Sequence, residues 1–217
     1  MGVHSSIPVH ETFQETIQGE GYWSGTPCDF IRLSGCPVGC WFCDTGYSRQ
    51  ETVKSPPRTL RTFDSLIGEL KSNHVVISGG EPFIHKELPE LVDALNDAGK
   101  FVSIETSGCF YQPVKDVWIT LSPKEHLNNV YPVLDVMWGM ANEIKLVITN
   151  NNIYTNGDDI GFYKEKFYKL NIPIYLQPEW NNKTETIHAL NQEILKYKKI
   201  AENATKLWEK RGIFWND

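Results

Sequence analysis

Cys36-Pro37-Val38-Gly39-Cys40-Trp41-Phe42-Cys43 places three of the chain's five cysteines in eight residues, with three and then two residues between them. The run Cys28-Asp29-Phe30-Ile31-Arg32-Leu33 leads into it and reads as a β-strand. A strand that delivers a motif-bearing loop is the unit repeated through the rest of the chain. His74 to Ile77 ends at Ser78-Gly79-Gly80-Glu81-Pro82, and Phe101 to Ile104 ends at Glu105-Thr106-Ser107-Gly108. Val117 to Leu121 ends at Ser122-Pro123-Lys124, Glu143 to Ile148 at Thr149-Asn150-Asn151-Asn152, and Ile172 to Leu176 at Gln177-Pro178-Glu179-Trp180. Helical periodicity separates several of these runs: Phe63 to Lys71, Leu88 to Ala98 with Gly99 as its stop, and Ile160 to Leu170. Residues 46 to 62, rich in Gly, Ser and Pro, read as a loop, and Thr184 to Trp208 reads as a long helix. Alternating strands and helices predict an α/β fold with parallel βαβ units. Parallel strands put their C-terminal ends on one side, so the motifs are expected around one mouth. Six visible strands predict a partial or distorted TIM-type barrel in a single domain spanning 1–217.

The bulk numbers narrow the function classes. The 217 residues fit one domain, and a net charge of −6 argues against a broad nucleic-acid surface. No apolar run approaches the ~20 residues of a membrane span. Met1 to Thr12 has no apolar h-region and does not read as a secretory signal. An odd number of cysteines, three of them crowded, makes a poor disulfide framework and points to a reducing, cytoplasmic setting.

Close thiolates in a short loop hold soft metals or iron–sulfur clusters. Three thiolates leave one iron of a four-iron cluster without a protein ligand, where an exogenous molecule can bind. The alternatives are a structural zinc site completed by Cys28, Cys109 or a histidine, or three buried thiols without metal. Gly35 and Gly39 allow backbone amides to turn toward sulfur, and Trp41 and Phe42 can exclude water or cover a flat ring.

CxxxCxxC with an aromatic residue before the last cysteine resembles the signature of radical S-adenosylmethionine enzymes. Phe13 to Gly21, Gly25 to Pro27, Phe30 to Arg32, Gly35-Cys36 and Cys43-Asp44-Thr45 resemble 7-carboxy-7-deazaguanine synthases more narrowly. Ser78 to Pro82, Glu105 to Gly108, Ser122 to Lys124 and Leu176 to Pro178 follow in the same order, so the resemblance covers about residues 12–180.

This resemblance implies a 4Fe-4S cluster on Cys36, Cys40 and Cys43. It implies S-adenosylmethionine against Phe42, Cys43, Asp44, Gly80, Ser122, Pro123, Lys124, Gln177 and Pro178. It implies Mg2+ at Thr45, and a pterin substrate held by Ile17, Gln18, Gly19, Arg32 and Ser78. Glu20 is a less secure substrate contact, and Glu20 and Glu105 are candidate bases to which no role is assigned. The implied reaction contracts 6-carboxy-5,6,7,8-tetrahydropterin to 7-carboxy-7-deazaguanine with loss of ammonia, a step toward queuosine and other deazapurines. It starts from an adenosyl radical and returns the hydrogen to regenerate the cofactor. The implied partners are a flavodoxin- or ferredoxin-like electron donor and a second copy of the chain in a homodimer. The family's closing Gln-Thr-His-Lys segment has no counterpart after Trp180, so 184–217 diverges. A glycyl-radical activase and a non-catalytic zinc-stabilised binding module are the competing expectations.

Overall fold

The computed structural model describes residues 5–43, 59–128, 131–149 and 158–178. The expected helix Thr184 to Trp208, the divergent tail, Asp44, Thr45 and the first part of the 46–62 loop lie outside these residues. The described strands are β1 (Ser6–Ile17), β2 (Pro27–Leu33), β3 (Thr59–Thr62), β4 (His74–Gly79), β5 (Phe101–Thr106), β6 (Trp118–Leu121), β7 (Glu143–Ile148) and β8 (Ile174–Pro178). The helices are α1 (Phe63–Glu69), α2 (Leu88–Asp97), α3 (Glu125–Asn128), α4 (Asp135–Met140) and α5 (Asp159–Lys169). One sheet holds all eight strands in the order β3-β1-β2-β4-β5-β6-β7-β8.

The six strands expected from the sequence are the six that run parallel, β2 and β4 to β8. Among the described residues the sheet does not close, since β3 and β8 are its two edges. The architecture is therefore an open, partial barrel. Two antiparallel strands extend it beyond the expected six. Thr59–Thr62, expected as the end of a loop, is β3 and pairs with β1. It is a four-residue edge strand with Leu60 67% exposed, so it carries no apolar alternation to read. β1 fully buries only Ile7 and Val9, and two register shifts interrupt its pairing with β2.

The two faces of the sheet differ in chemistry because side chains alternate along each strand. Ile31, Leu33, Val75, Ile77, Val102, Ile104, Ile119, Leu121, Ile144 and Leu146 join one apolar core. Helix residues Leu66, Leu88, Leu91, Leu95, Met137, Ile160 and Phe167 complete it. The alternate positions, including Phe30, Arg32, Ser78, Glu105 and Lys145, face a cavity. Gly99, at φ +73°, ends α2 with its N–H donating to Asn96 O at 2.9 Å, as its expected role as a stop requires.

The β1–β2 loop, residues 18–26, closes one end of the cavity face. Its ends are tied by Gln18 N–H to Thr26 O at 2.9 Å and Gly25 N–H to Gln18 O at 2.8 Å. The Trp23 ring packs on His74, Phe101 and Trp118, with centroids at 5.7, 4.9 and 5.4 Å. These are the first residues of β4, β5 and β6. Trp23 thus plugs the N-terminal end of the partial barrel and leaves the C-terminal end for the site. Among the described residues, no helix is long and apolar enough to cross a membrane.

Asp29, fully buried in β2, knots the lower edge together. Its carboxylate accepts from the N–H groups of Glu15 at 2.8 Å, Lys71 at 2.5 Å and Ser72 at 2.8 Å, and from the Ser72 hydroxyl at 2.8 Å. Burial would raise its pKa, but these donors outweigh burial and hold it below the ordinary carboxylate value. An Asp29→Asn variant turns an amide N–H against N–H donors and should lose about 2–4 kcal/mol of unfolding free energy. The charged form stabilises the fold above the unfolded-state pKa of about 4, and that contribution is lost as pH falls through the lower folded value. Urea unfolding of both proteins should show a gap at pH 7 that narrows below about pH 4; a pH-independent gap would contradict the assignment.

Candidate active site

The cysteine loop leaves the C-terminal end of β2 and is held by the end of β4. Gly80 N–H donates to Leu33 O at 2.9 Å, and Glu81 N–H donates to Gly35 O at 2.9 Å. A Cβ on Gly79, whose φ is +111°, would strike the Leu33 carbonyl, and one on Gly80 would strike the Gly35 carbonyl. The Gly-Gly pair therefore serves a backbone-to-backbone approach that no side chain permits. Gly35 and Gly39 take φ values of +93° and +67° as the loop curls. The amides of Val38 and Gly39 then donate to the Cys36 sulfur.

Glu81 carries this arrangement to β5. It is 1% exposed and accepts from Phe83 N–H at 3.1 Å, the Thr106 hydroxyl at 2.6 Å, Ser107 N–H at 2.8 Å and the Ser107 hydroxyl. Ser122 N–H donates to Thr106 O at 2.7 Å, which adds the end of β6. The motifs after β2, β4, β5 and β6 thus form one continuous rim.

Below this rim lies a cavity of about 470 Å³. Of the residues expected to hold cluster, cofactor or substrate whose side chains are described, all but Pro123 line it. They are Ile17, Gln18, Gly19, Arg32, Cys36, Cys40, Phe42, Cys43, Ser78, Gly80, Ser122, Lys124 and Gln177. Pro123 is buried beside Ser122, and Pro178 ends β8 next to Gln177. Trp41 is 52% exposed and is not a core residue. Cys28 and Cys109 are not part of the cavity wall. Cys28 lies five residues before the end of β2, roughly 17 Å along the strand. Cys109 donates its S–H to Tyr131 O at 3.0 Å.

Charge in the cavity is strongly patterned. Burial pushes the Cys36 thiol up to about 11. Burial also raises Cys40, against which the neighbouring Lys124 ammonium acts. Lys124 lies 5.7 Å from the Phe42 ring centroid and 2.5 Å from the Ser122 hydroxyl, and burial lowers its pKa. Arg32 Nη1 donates to Glu11 at 3.3 Å while its buried Nε has no partner among the described residues.

The floor was not read as a unit from the sequence. Lys145 of β7 is ion-paired with Glu20 and, at 3.2 Å, with Glu105. Gln18 Nε2 donates to Glu105 at 3.1 Å. Burial would lower the Lys145 pKa, yet Glu105 and Glu20 outweigh it and hold the ammonium above its ordinary value. Burial would raise Glu105, yet Lys145 first and Gln18 after it hold the carboxyl low. The signal for Lys145 was present: Glu143 and Lys145 are charges at alternate positions of an otherwise apolar strand.

The profile of the radical SAM superfamily matches residues 30–117, the stretch that contains the cysteine loop and both glycines. The chain is 39% identical over 158 residues to a 7-carboxy-7-deazaguanine synthase of Escherichia coli (strain K12), covering 64% of this chain and 70% of that relative. It is 34% identical over 200 residues to the 7-carboxy-7-deazaguanine synthase of a Synechocystis strain, covering 88% and 85%. The crystal structure of QueE from Escherichia coli superposes with a TM-score of 0.69 at 32% identity, covering 88% of this chain and 91% of that one. The fold and the cysteine loop are those of a radical SAM protein. Within that superfamily, the chain belongs to the 7-carboxy-7-deazaguanine synthase family.

Gly80→Ala tests the rim directly. The added methyl meets the Gly35 carbonyl, so the variant should displace the cysteine loop and cost about 2–4 kcal/mol of stability. Thermal unfolding and iron retention after anaerobic reconstitution should both fall; a variant matching wild type in both would show that the close approach is not required.

Proposed function

We propose that this chain converts 6-carboxy-5,6,7,8-tetrahydropterin to 7-carboxy-7-deazaguanine and ammonia, in a single domain over 1–217. The observation that carries this reading is the convergence of six separated segments, 17–19, 32, 36–43, 78–80, 122–124 and 177, on one cavity. Substrate and product differ by one ammonia, so the conversion needs no net oxidant.

A 4Fe-4S cluster fits Cys36, Cys40 and Cys43, because all three face the cavity and loop amides are directed at Cys36 sulfur. Among the described residues no group of three or more His, Cys, Asp or Glu side chains converges as a site for one metal ion. A cubic cluster asks for less convergence, since each thiolate meets a different iron. When bound, the reduced cluster and S-adenosylmethionine supply the hydrogen-abstracting radical, as in the superfamily.

The chain's own groups bind, orient and exclude water. Phe42, Cys43, Asp44, Gly80, Ser122, Pro123, Lys124, Gln177 and Pro178 would hold S-adenosylmethionine. The unpartnered Arg32 Nε suits the substrate carboxylate, and Ser78 sits beside it in the adjacent strand. Ile17, Gln18 and Gly19 would meet the pterin edge. Thr45 would hold Mg2+ with substrate and water oxygens completing its shell. A flavodoxin- or ferredoxin-like donor, a homodimer and a cytoplasmic setting complete the reading.

Anaerobic reconstitution with iron and sulfide, followed by reductant, S-adenosylmethionine, Mg2+ and the carboxytetrahydropterin, should yield carboxydeazaguanine. Formation of 5′-deoxyadenosine without that product would overturn the substrate assignment. Cys40→Ala should abolish turnover, and leaving out Mg2+ or introducing Thr45→Ala should lower it. Arg32→Met should cut kcat/KM for the pterin roughly 30- to 100-fold, the loss expected for one charge-assisted contact.

A further inference from the structure

β7 sends two charged side chains to the cavity face, and both hold the same loop. Glu143 and Lys145 alternate along the strand, so they share a face. Lys145 is ion-paired with the Glu20 carboxylate, and the Glu143 carboxylate accepts Tyr22 N–H at 2.7 Å. Glu143 is itself fixed by the Thr120 hydroxyl at 2.6 Å. Gly21 takes a φ of +69°, which favours glycine, and a Cβ there would lie 2.6 Å from Glu143 Oε1 and press on the grip. We propose that Lys145 is the positioning residue of a two-point clamp, completed by Glu143, that sets how the β1–β2 loop presents Gln18 and its neighbours to substrate. This rests on the reading of Ile17 to Gly19 as a substrate-binding segment.

The consequence for Gln18 is specific. Its Nε2 donates to Glu105, which Lys145 also pairs, and its Oε1 accepts Glu20 N–H at 3.3 Å. Both ends of the amide are thereby oriented, and a flip would set oxygen against the Glu105 carboxylate and NH2 against an N–H. Lys145 also lies between two carboxylates. Without its charge, Glu20 and Glu105 face each other with no cation between them, and the less buried Glu20 is the one free to swing out. An arginine at 145 can bridge two carboxylates and should retain the clamp in part.

The experiment uses the reconstituted enzyme carrying Lys145→Met, Lys145→Arg or Glu20→Gln. It reads backbone amide exchange of residues 18–26 and KM values for the carboxytetrahydropterin and S-adenosylmethionine. Lys145→Met should raise loop exchange and pterin KM by roughly tenfold or more, with S-adenosylmethionine KM changed by less than about twofold. Lys145→Arg should recover most of both losses. Glu20→Gln removes one grip at a half-exposed side chain, and should loosen the loop even if Lys145→Met fails to fold. Unchanged loop exchange in the foldable variants, equal rises in both KM values, or no recovery with arginine would each overturn the clamp. If the wild-type enzyme does not turn over the pterin, the functional reading fails, and loop exchange alone decides the clamp.

Discussion

Two glycines without a Cβ govern the site. Gly79 and Gly80 let the end of β4 lie directly on the backbone of Leu33 to Gly35, so the cysteine loop is fixed by strand contacts before any cluster binds. From that point the rim continues without a gap. Glu81 reaches Thr106 and Ser107, and Thr106 O receives Ser122 N–H. A motif that looks like four separate signatures is physically one hydrogen-bonded belt around the strand ends. Its glycines answer to packing as much as to any ligand.

The open barrel divides labour between its faces. The helix side holds the main apolar core, aliphatic with several aromatic side chains, and supplies the driving force for folding. The cavity side accepts buried charge, which is costly unless paired. Lys145 with Glu105 and Glu20, and Glu81 with its hydroxyl and amide donors, each meet that condition within the chain. The β1–β2 loop does double duty. Trp23 stops the N-terminal end, while Gln18 to Glu20 form part of the cavity floor.

The parallel core was legible because β2 and β4 to β8 are short apolar runs, each punctuated by Gly, Pro or a polar motif. β1 and β3 were not legible as strands. β3 is an edge strand and β1 lies next to it; both bury few apolar side chains and derive their order from pairing with neighbours. Most cavity residues could be named because the order of the motifs resembles that of the family, and strand-end geometry added only that motifs after parallel strands share one mouth. The role of Arg32 was partly obscured, since its Glu11 ion pair depends on the β1–β2 register. The Lys145 network was missed for the same reason. Its partners are 40 and 125 residues away in sequence, and only the fold of the loop brings Glu20 to β7.

We propose that one cavity brings the cysteine loop, the cofactor and the substrate into contact. Electron paramagnetic resonance of the reduced, reconstituted protein tests it most directly. The cluster signal should change on adding S-adenosylmethionine, and change again on adding the carboxytetrahydropterin. A cluster signal indifferent to both molecules would contradict it.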